Sequence, residues 1–135
     1  MRDDQVRRYA RHILLPDVGG HGQTALLVAT ARLDLRAGEP EAALICATYL
    51  AAGGTGTLVL SGATLPQLAT VAAHGPDTRV VADPSTLPAD APAPRDVALA
   101  PRPAWWPSAE GDHTALACWR GGLAAIRWMA DLANR

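Results

Sequence analysis

The sequence predicts an α/β fold: a Rossmann-like, three-layer arrangement of about four mainly parallel strands with helices on both faces. Three observations carry that expectation. Short runs of strand character, such as Thr57-Leu58-Val59-Leu60 and Thr78-Arg79-Val80-Val81-Ala82, alternate with longer helical patterns. Residues 32–60 read as one strand–helix–strand unit, whose strands should be parallel with a right-handed crossover. The 135 residues, 49% hydrophobic and 19% charged, suit one globular domain with a two- or three-layer core.

Residues 1–31 are expected to form an N-terminal helical segment. Asp3 or Asp4 can cap a first helix, with Val6, Tyr9 or Ala10, and Ile13 at helical spacing, and Pro16 ends it. Gly19-Gly20 and Gly22 predict a loop, followed by a short helix from about Gln23 to Thr30. The sheet is expected over residues 32–100. Arg32-Leu33-Asp34-Leu35-Arg36 alternates as its first strand, and Ala37-Gly38-Glu39 makes a turn. Pro40 suits the first position of a helix that runs through Ala52 and stops at Gly53-Gly54. Residues 57–60 form the second strand, Leu65 to Ala73 a further helix, 78–82 the third strand and 96–100 the fourth. The stretches 83–94 and 101–112 are rich in proline and lack periodicity, so both read as loops. Residues 113–134 hold a long final helix, with Leu116, Trp119, Leu123, Ile126 and Ala130 predicted on its core face and Trp128 and Met129 off it.

Composition excludes several function classes. A net charge of −1 argues against nucleic acid or a polybasic membrane anchor as partner. All 12 basic residues are Arg, so Schiff-base chemistry and a Lys phosphate clamp have no residue to use. Cys46 and Cys118 form no paired motif, and His12, His21, His74 and His113 do not group, so no metal site is expected. No apolar run reaches 18 residues and the charged start Met1-Arg2-Asp3-Asp4 is no secretory signal, so a cytoplasmic location is expected.

Two blocks point to a family. Arg8-Tyr9-Ala10-Arg11-His12-Ile13-Leu14-Leu15-Pro16-Asp17-Val18-Gly19 with Gly22-Gln23 comes first, and Tyr49-Leu50-Ala51-Ala52-Gly53-Gly54-Thr55-Gly56 follows at matching order and spacing. Together they resemble the ThiF/MoeB/HesA family, relatives of ubiquitin-activating enzymes, over residues 5–60 well and 114–133 loosely. The resemblance implies a truncated activating-enzyme domain. In that family a GxGGxG turn binds ATP, but here its place is taken by Gly38-Glu39-Pro40-Glu41-Ala42-Ala43. Pro40 lacks an N–H, Glu41 and Ala43 add Cβ atoms, and Glu39 with Glu41 would repel a triphosphate. The ribose-binding acid has no counterpart in Leu60-Ser61-Gly62, and the family's catalytic and zinc-binding cysteines are missing too. No cofactor is therefore expected at Gly38, Glu39, Pro40 and Glu41.

Arg11 remains. By resemblance, the second Arg of Arg-Tyr-x-Arg reaches the nucleotide of a neighbouring subunit, where its fixed fork pairs with phosphate oxygens. Arg11 is thus a trans-acting candidate, against the plainer reading of an interface or surface Arg. The resemblance implies a non-catalytic homodimer, or a heterodimer with an intact ThiF/MoeB-like enzyme, and a sulfur-carrier or ubiquitin-like protein as further partner. Arg8, Tyr9, Arg11, Trp105, Trp106 and Trp128 are the expected interface residues. Trp105-Trp106-Pro107 reads either as a loop folded back over the sheet or as an exposed anchor. Two other function classes stay open: a minimal adenylyltransferase with a remodelled site, and a small-molecule-binding regulatory module. Asp34, in the middle of a strand expected to be central, needs either a non-central strand or a pairing such as Arg36 of a neighbouring subunit.

Overall fold

A computed structural model describes residues 1–106 and 112–135. The chain forms α1 (Asp3–Arg8), α2 (Ala10–Ile13), α3 (Gly19–Val28), β1 (Thr30–Asp34), α4 (Pro40–Ala52), β2 (Thr57–Ser61), α5 (Leu65–Ala72), β3 (Arg79–Val81), β4 (Arg95–Asp96) and α6 (His113–Ala133). The four strands make one all-parallel sheet in the order β3-β2-β1-β4, with helices around it: an α/β, Rossmann-like fold.

Local chemistry accounts for most boundaries. Pro40 opens α4, where a missing N–H costs nothing, and Gly53 and Gly54 follow its end, the latter at φ +84°. Thr64 caps α5, accepting from the Gln67 N–H while Gln67 Oε1 accepts from the Thr64 N–H at 2.8 Å. The first helix is capped differently from expectation. Its N-cap is Arg2, whose N–H donates to Gln5 Oε1 at 3.0 Å, and Asp3 and Asp4 lie inside its first turn.

The expected first helix is split at Tyr9 into α1 and α2, and three further elements depart from the predicted bounds by two residues or more. The glycines at 19–22 are helical, not a loop: a Cβ on Gly22 would meet the Ala133 Cβ at 2.8 Å, so packing against α6 favours glycine inside α3. β1 starts and ends two residues earlier than predicted but keeps the predicted phase, with Ala31, Leu33 and Leu35 turned into the core. Only Arg95 and Asp96 of the expected fourth strand join the ladder, closed by the Val97 N–H donating to the Arg32 carbonyl at 2.9 Å.

The core lies between the sheet and α3, α4, α5 and α6. It joins Leu33, Leu58 and Leu60 of the strands to Cys46, Ala47 and Leu50 of α4 and to Ala124, Ala125 and Trp128 of α6. β2 is buried at three successive residues, Leu58, Val59 and Leu60, as a strand covered on both faces should be. β1 instead exposes Arg32 and Asp34 on its other face.

The core face of α6 is not the predicted one. Ala117, Gly121, Ala124, Ala125 and Trp128 are buried, whereas Ile126 is 58% exposed and Leu116, Trp119 and Leu123 are half-buried. α6 crosses α4 too closely for large side chains, since a Cβ on Gly121 would lie 2.4 Å from the Ala42 carbonyl oxygen. At the crossing itself small residues therefore face inward on both helices, and Ile126 lies on the surface.

Candidate functional site

The strand order reverses direction between β1 and β4, and in open α/β sheets a ligand crevice forms beyond the carboxyl ends of such strands. Two adjoining cavities lie there. One, of about 320 Å³, is lined by residues of the turn into α4 and by His113, Leu116 and Arg120 of α6. The other, of about 430 Å³, runs along Arg32, Asp34, Asp96 and Val97. Glu39 and Arg120 line both.

Charge pairing decides what this crevice offers. The Arg120 guanidinium pairs with Glu39 Oε1 and donates through Nε to the Ala100 carbonyl, tying α6 to the turn and to the segment after β4. Arg32 pairs with Asp96 at 2.6 Å, and Arg36 pairs with Asp34 at 2.9 Å. The side-chain hydrogen bonds from Arg32 and Arg36 hold Asp96 and Asp34 below the usual carboxylate range. The Arg36 contact also settles the place of Asp34. It ends β1 on the exposed face and is paired within its own chain, although β1 is central.

Each Arg lining the two cavities is thus matched to a carboxylate, and Glu41 adds a further one. A triphosphate needs glycines whose N–H groups face its oxygens, with cations to spare. Of the turn, only Gly38 keeps a glycine-type conformation, at φ +98°, and Pro40 has no N–H. Glu39 Oε2 is buried without a hydrogen-bond partner among the described residues, a second acceptor where a phosphate would need donors. The residues present do not fit a triphosphate.

The N-terminal segment is partly absorbed into the fold. Tyr9, expected at an interface, is 2% exposed inside its own chain and donates its hydroxyl to Asp77 at 3.0 Å. Arg8 is also held by Asp77. His12 meets Gln23 Oε1 at 3.1 Å, and Gln23 Nε2 donates to the Gly53 carbonyl at 3.0 Å. A Cβ on Gly54 would lie 2.6 Å from the Tyr9 ring. The two sequence blocks therefore touch, and each explains residues of the other.

Arg11 lies apart from this network. It is exposed and has no hydrogen bond or ion pair among the described residues. Trp128, expected on an interface, is 8% exposed and packs in the core under Arg95, whose guanidinium sits 5.9 Å from its ring centroid. Trp105 is 70% exposed, while Trp106 and Trp119 are half-buried, the three rings packing 5.7 to 6.3 Å apart. One ring of the pair is thus exposed, and the other is half-buried beside Trp119 of α6. Pro107 and the rest of the 101–112 stretch up to 111 lie outside the described residues.

Burial pushes the Cys46 thiol up to about 12, which leaves it protonated and inert, and Cys118 is exposed on α6. No cluster of three metal-ligating side chains occurs among the described residues, and none of their helices is long and apolar enough to cross a membrane.

Sequence reasoning missed Arg120 and Asp77. An Arg inside the otherwise apolar middle of the last helix, beside Gly121-Gly122, was the available signal for the first. Nothing in the sequence near Asp77 announces the second, because its partners lie about 70 positions away. No protein-family model matches the chain, and no curated protein matches it significantly.

Proposed function

We propose that the chain is a non-catalytic relative of the ThiF/MoeB/HesA activating enzymes, acting as a dimer or as the partner subunit of an intact enzyme in a sulfur-carrier or ubiquitin-like pathway. The observation that carries this reading is a contrast between two sites. The crevice where a nucleotide would sit has its arginines paired with its own carboxylates, whereas Arg11 is exposed and has no ion pair among the described residues. A chain built to adenylate would spend its cations on phosphate. A chain that supports another subunit needs only a docking face and a cation that reaches across it. The contact of Tyr9 and Gln23 with the Gly53-Gly54 corner supports the same ancestry, since it gives the paired blocks a common physical reason.

Calorimetry with Mg-ATP should show no micromolar binding to the isolated chain. Mixed with an intact activating enzyme that co-purifies with it, the wild type should raise that enzyme's ATP–pyrophosphate exchange, and Arg11→Ala should lose about tenfold or more of the stimulation. Micromolar ATP binding by the chain alone would sink the pseudoenzyme reading. Stimulation untouched by Arg11→Ala would sink the trans-acting role.

A further inference from the structure

β4 ends the sheet, and its outer edge has no partner strand among the described residues. The chain leaves the ladder after the Val97 N–H and runs on without a turn or bend to Pro103. Ala98 and Leu99 make no hydrogen bond among the described residues, and Ala100 only accepts one, from Arg120 Nε. Alongside lies a groove of about 370 Å³, and every residue from 95 to 101 lines it. Successive residues of an extended segment point to opposite faces, so a groove that meets all of them follows the backbone edge. The other wall is a single stripe of α6, formed by Ala124, Arg127, Trp128 and Asp131 at i, i+3, i+4 and i+7. An open backbone edge beside a helix stripe is a setting in which an extended peptide adds as a further strand.

The groove's side chains select the peptide. Asp96 is already paired with Arg32. Arg95, Arg127 and Asp131 have no ion pair among the described residues, which leaves two cations against one carboxylate. Trp128 is 8% exposed, and its Nε1 is buried without a hydrogen-bond partner among the described residues. A buried indole N–H ordinarily finds an acceptor. The groove therefore lacks negative charge and hydrogen-bond acceptors. A nucleic acid brings the charge but not the alternating N–H and C=O groups that a strand edge pairs with. A second copy of the chain, joined edge to edge, would bring the same surplus of cations to the groove. We propose that the groove between residues 95–101 and α6 takes an extended acidic peptide segment of another protein. The segment pairs with the edge at 98–100, sets a carboxylate against Arg95 and Arg127, and supplies an acceptor to Trp128 Nε1. This site does not depend on the chain's ancestry, and its failure would leave the partner-subunit reading standing.

Fluorescence anisotropy on the full chain tests it, with a labelled, end-blocked hexapeptide of alternating Val and Glu as the probe. The probe is expected to bind with a dissociation constant below about 1 mM. Its Val–Lys counterpart should bind about tenfold more weakly or worse, and a version methylated at every backbone nitrogen should not bind. Arg127→Glu, an exposed substitution, should weaken probe binding by about tenfold with unchanged far-UV circular dichroism. In the nitrogen–proton spectrum, the probe should shift the amide signals of residues 98–100 and the Trp128 indole N–H. No binding at about 1 mM overturns the proposal. So does equal binding of the Val–Lys or methylated peptide, or a set of shifts that leaves 98–100 and Trp128 untouched. Displacement of the probe by an equal concentration of free glutamate overturns it as well, because the groove would then hold a small anion and not a strand. If Arg127→Glu fails to fold, the peptide controls and the spectrum decide alone.

Discussion

Asp77 holds the N-terminal segment with one carboxylate. Its side chain is 4% exposed and accepts hydrogen bonds from Arg2 at 2.8 Å, Tyr9 at 3.0 Å, Gln5 at 3.1 Å and also from Arg8. Burial works to raise its pKa, but the hydrogen bonds from Gln5, Tyr9 and Arg8 together with the Arg8 charge outweigh it, and the net shift is downward. A depressed folded-state pKa means that the contribution is complete above the unfolded value of about 3.9 and is lost as pH falls through the folded value. Asp77→Ala is therefore expected to cost about 2–3 kcal/mol at pH 7 and distinctly less at pH 3. Thermal melts of both chains at the two pH values measure this, and equal costs would mean that charge is not what holds the segment. Tyr9 stays a donor across that range, because burial first, and then Asp77, pushes its hydroxyl up to about 12.

Among the elements, the α4–α6 crossing is where small residues matter most. A Cβ on Gly121 would sit 2.4 Å from the Ala42 carbonyl oxygen and 3.0 Å from the Cys46 nitrogen, both backbone atoms that cannot swing aside. On Gly122, one position along the same helix, the nearest atom would be Tyr49 Cε2 at 3.7 Å, an ordinary contact. Alanine is the better helix former by about 1 kcal/mol at either site. Gly122→Ala should therefore stabilise the protein by about 0.5–1 kcal/mol, whereas Gly121→Ala should destabilise it by about 1–2 kcal/mol, overpacking outweighing propensity. Urea titration of both variants distinguishes them. The same crossing shows what the sequence could convey. The bounds of α4 and α6 were legible because Pro40, Gly53 and the helical period punctuate them. The buried face of α6 was not, because the amphipathic pattern weights large side chains. At Gly121 the neighbour helix leaves no room even for a Cβ, and Ile126 lies on the surface. In the candidate site, the turn into α4 was legible from Gly38 and Pro40. Arg120 was not, since its pairing with Glu39 depends on how α6 is laid across α4, which no local pattern encodes.

On the scale of the whole molecule, the N-terminal segment works on two sides at once. Its inward side closes the fold across long sequence distances. Tyr9 fills the space left by Gly54, Gln23 holds the Gly53 carbonyl, and Arg2, Gln5, Arg8 and Tyr9 converge on Asp77, just before β3. Its outward side presents Arg11, Leu14 and Asp17 to solvent. Much of a motif that reads as functional is thus structural. Removal of residues 1–9 should accordingly damage the fold itself. It strips the Tyr9 ring from the core, leaves Asp77 without four of its donors and opens a hole beside Gly54. Emptying an aromatic site alone costs about 3–5 kcal/mol, a large part of the stability of a domain this size. The truncated chain is expected to lose its cooperative thermal transition or to melt at least about 15 °C lower, at roughly 4–8 °C per kcal/mol for a small domain. A shortened chain that melts like the intact one would mean that the segment is an appendage, and that the inward contacts contribute nothing. Should it melt as expected, loss of partner binding on truncation would say nothing about Arg11. Single surface substitutions would then be the proper probes of the outward side.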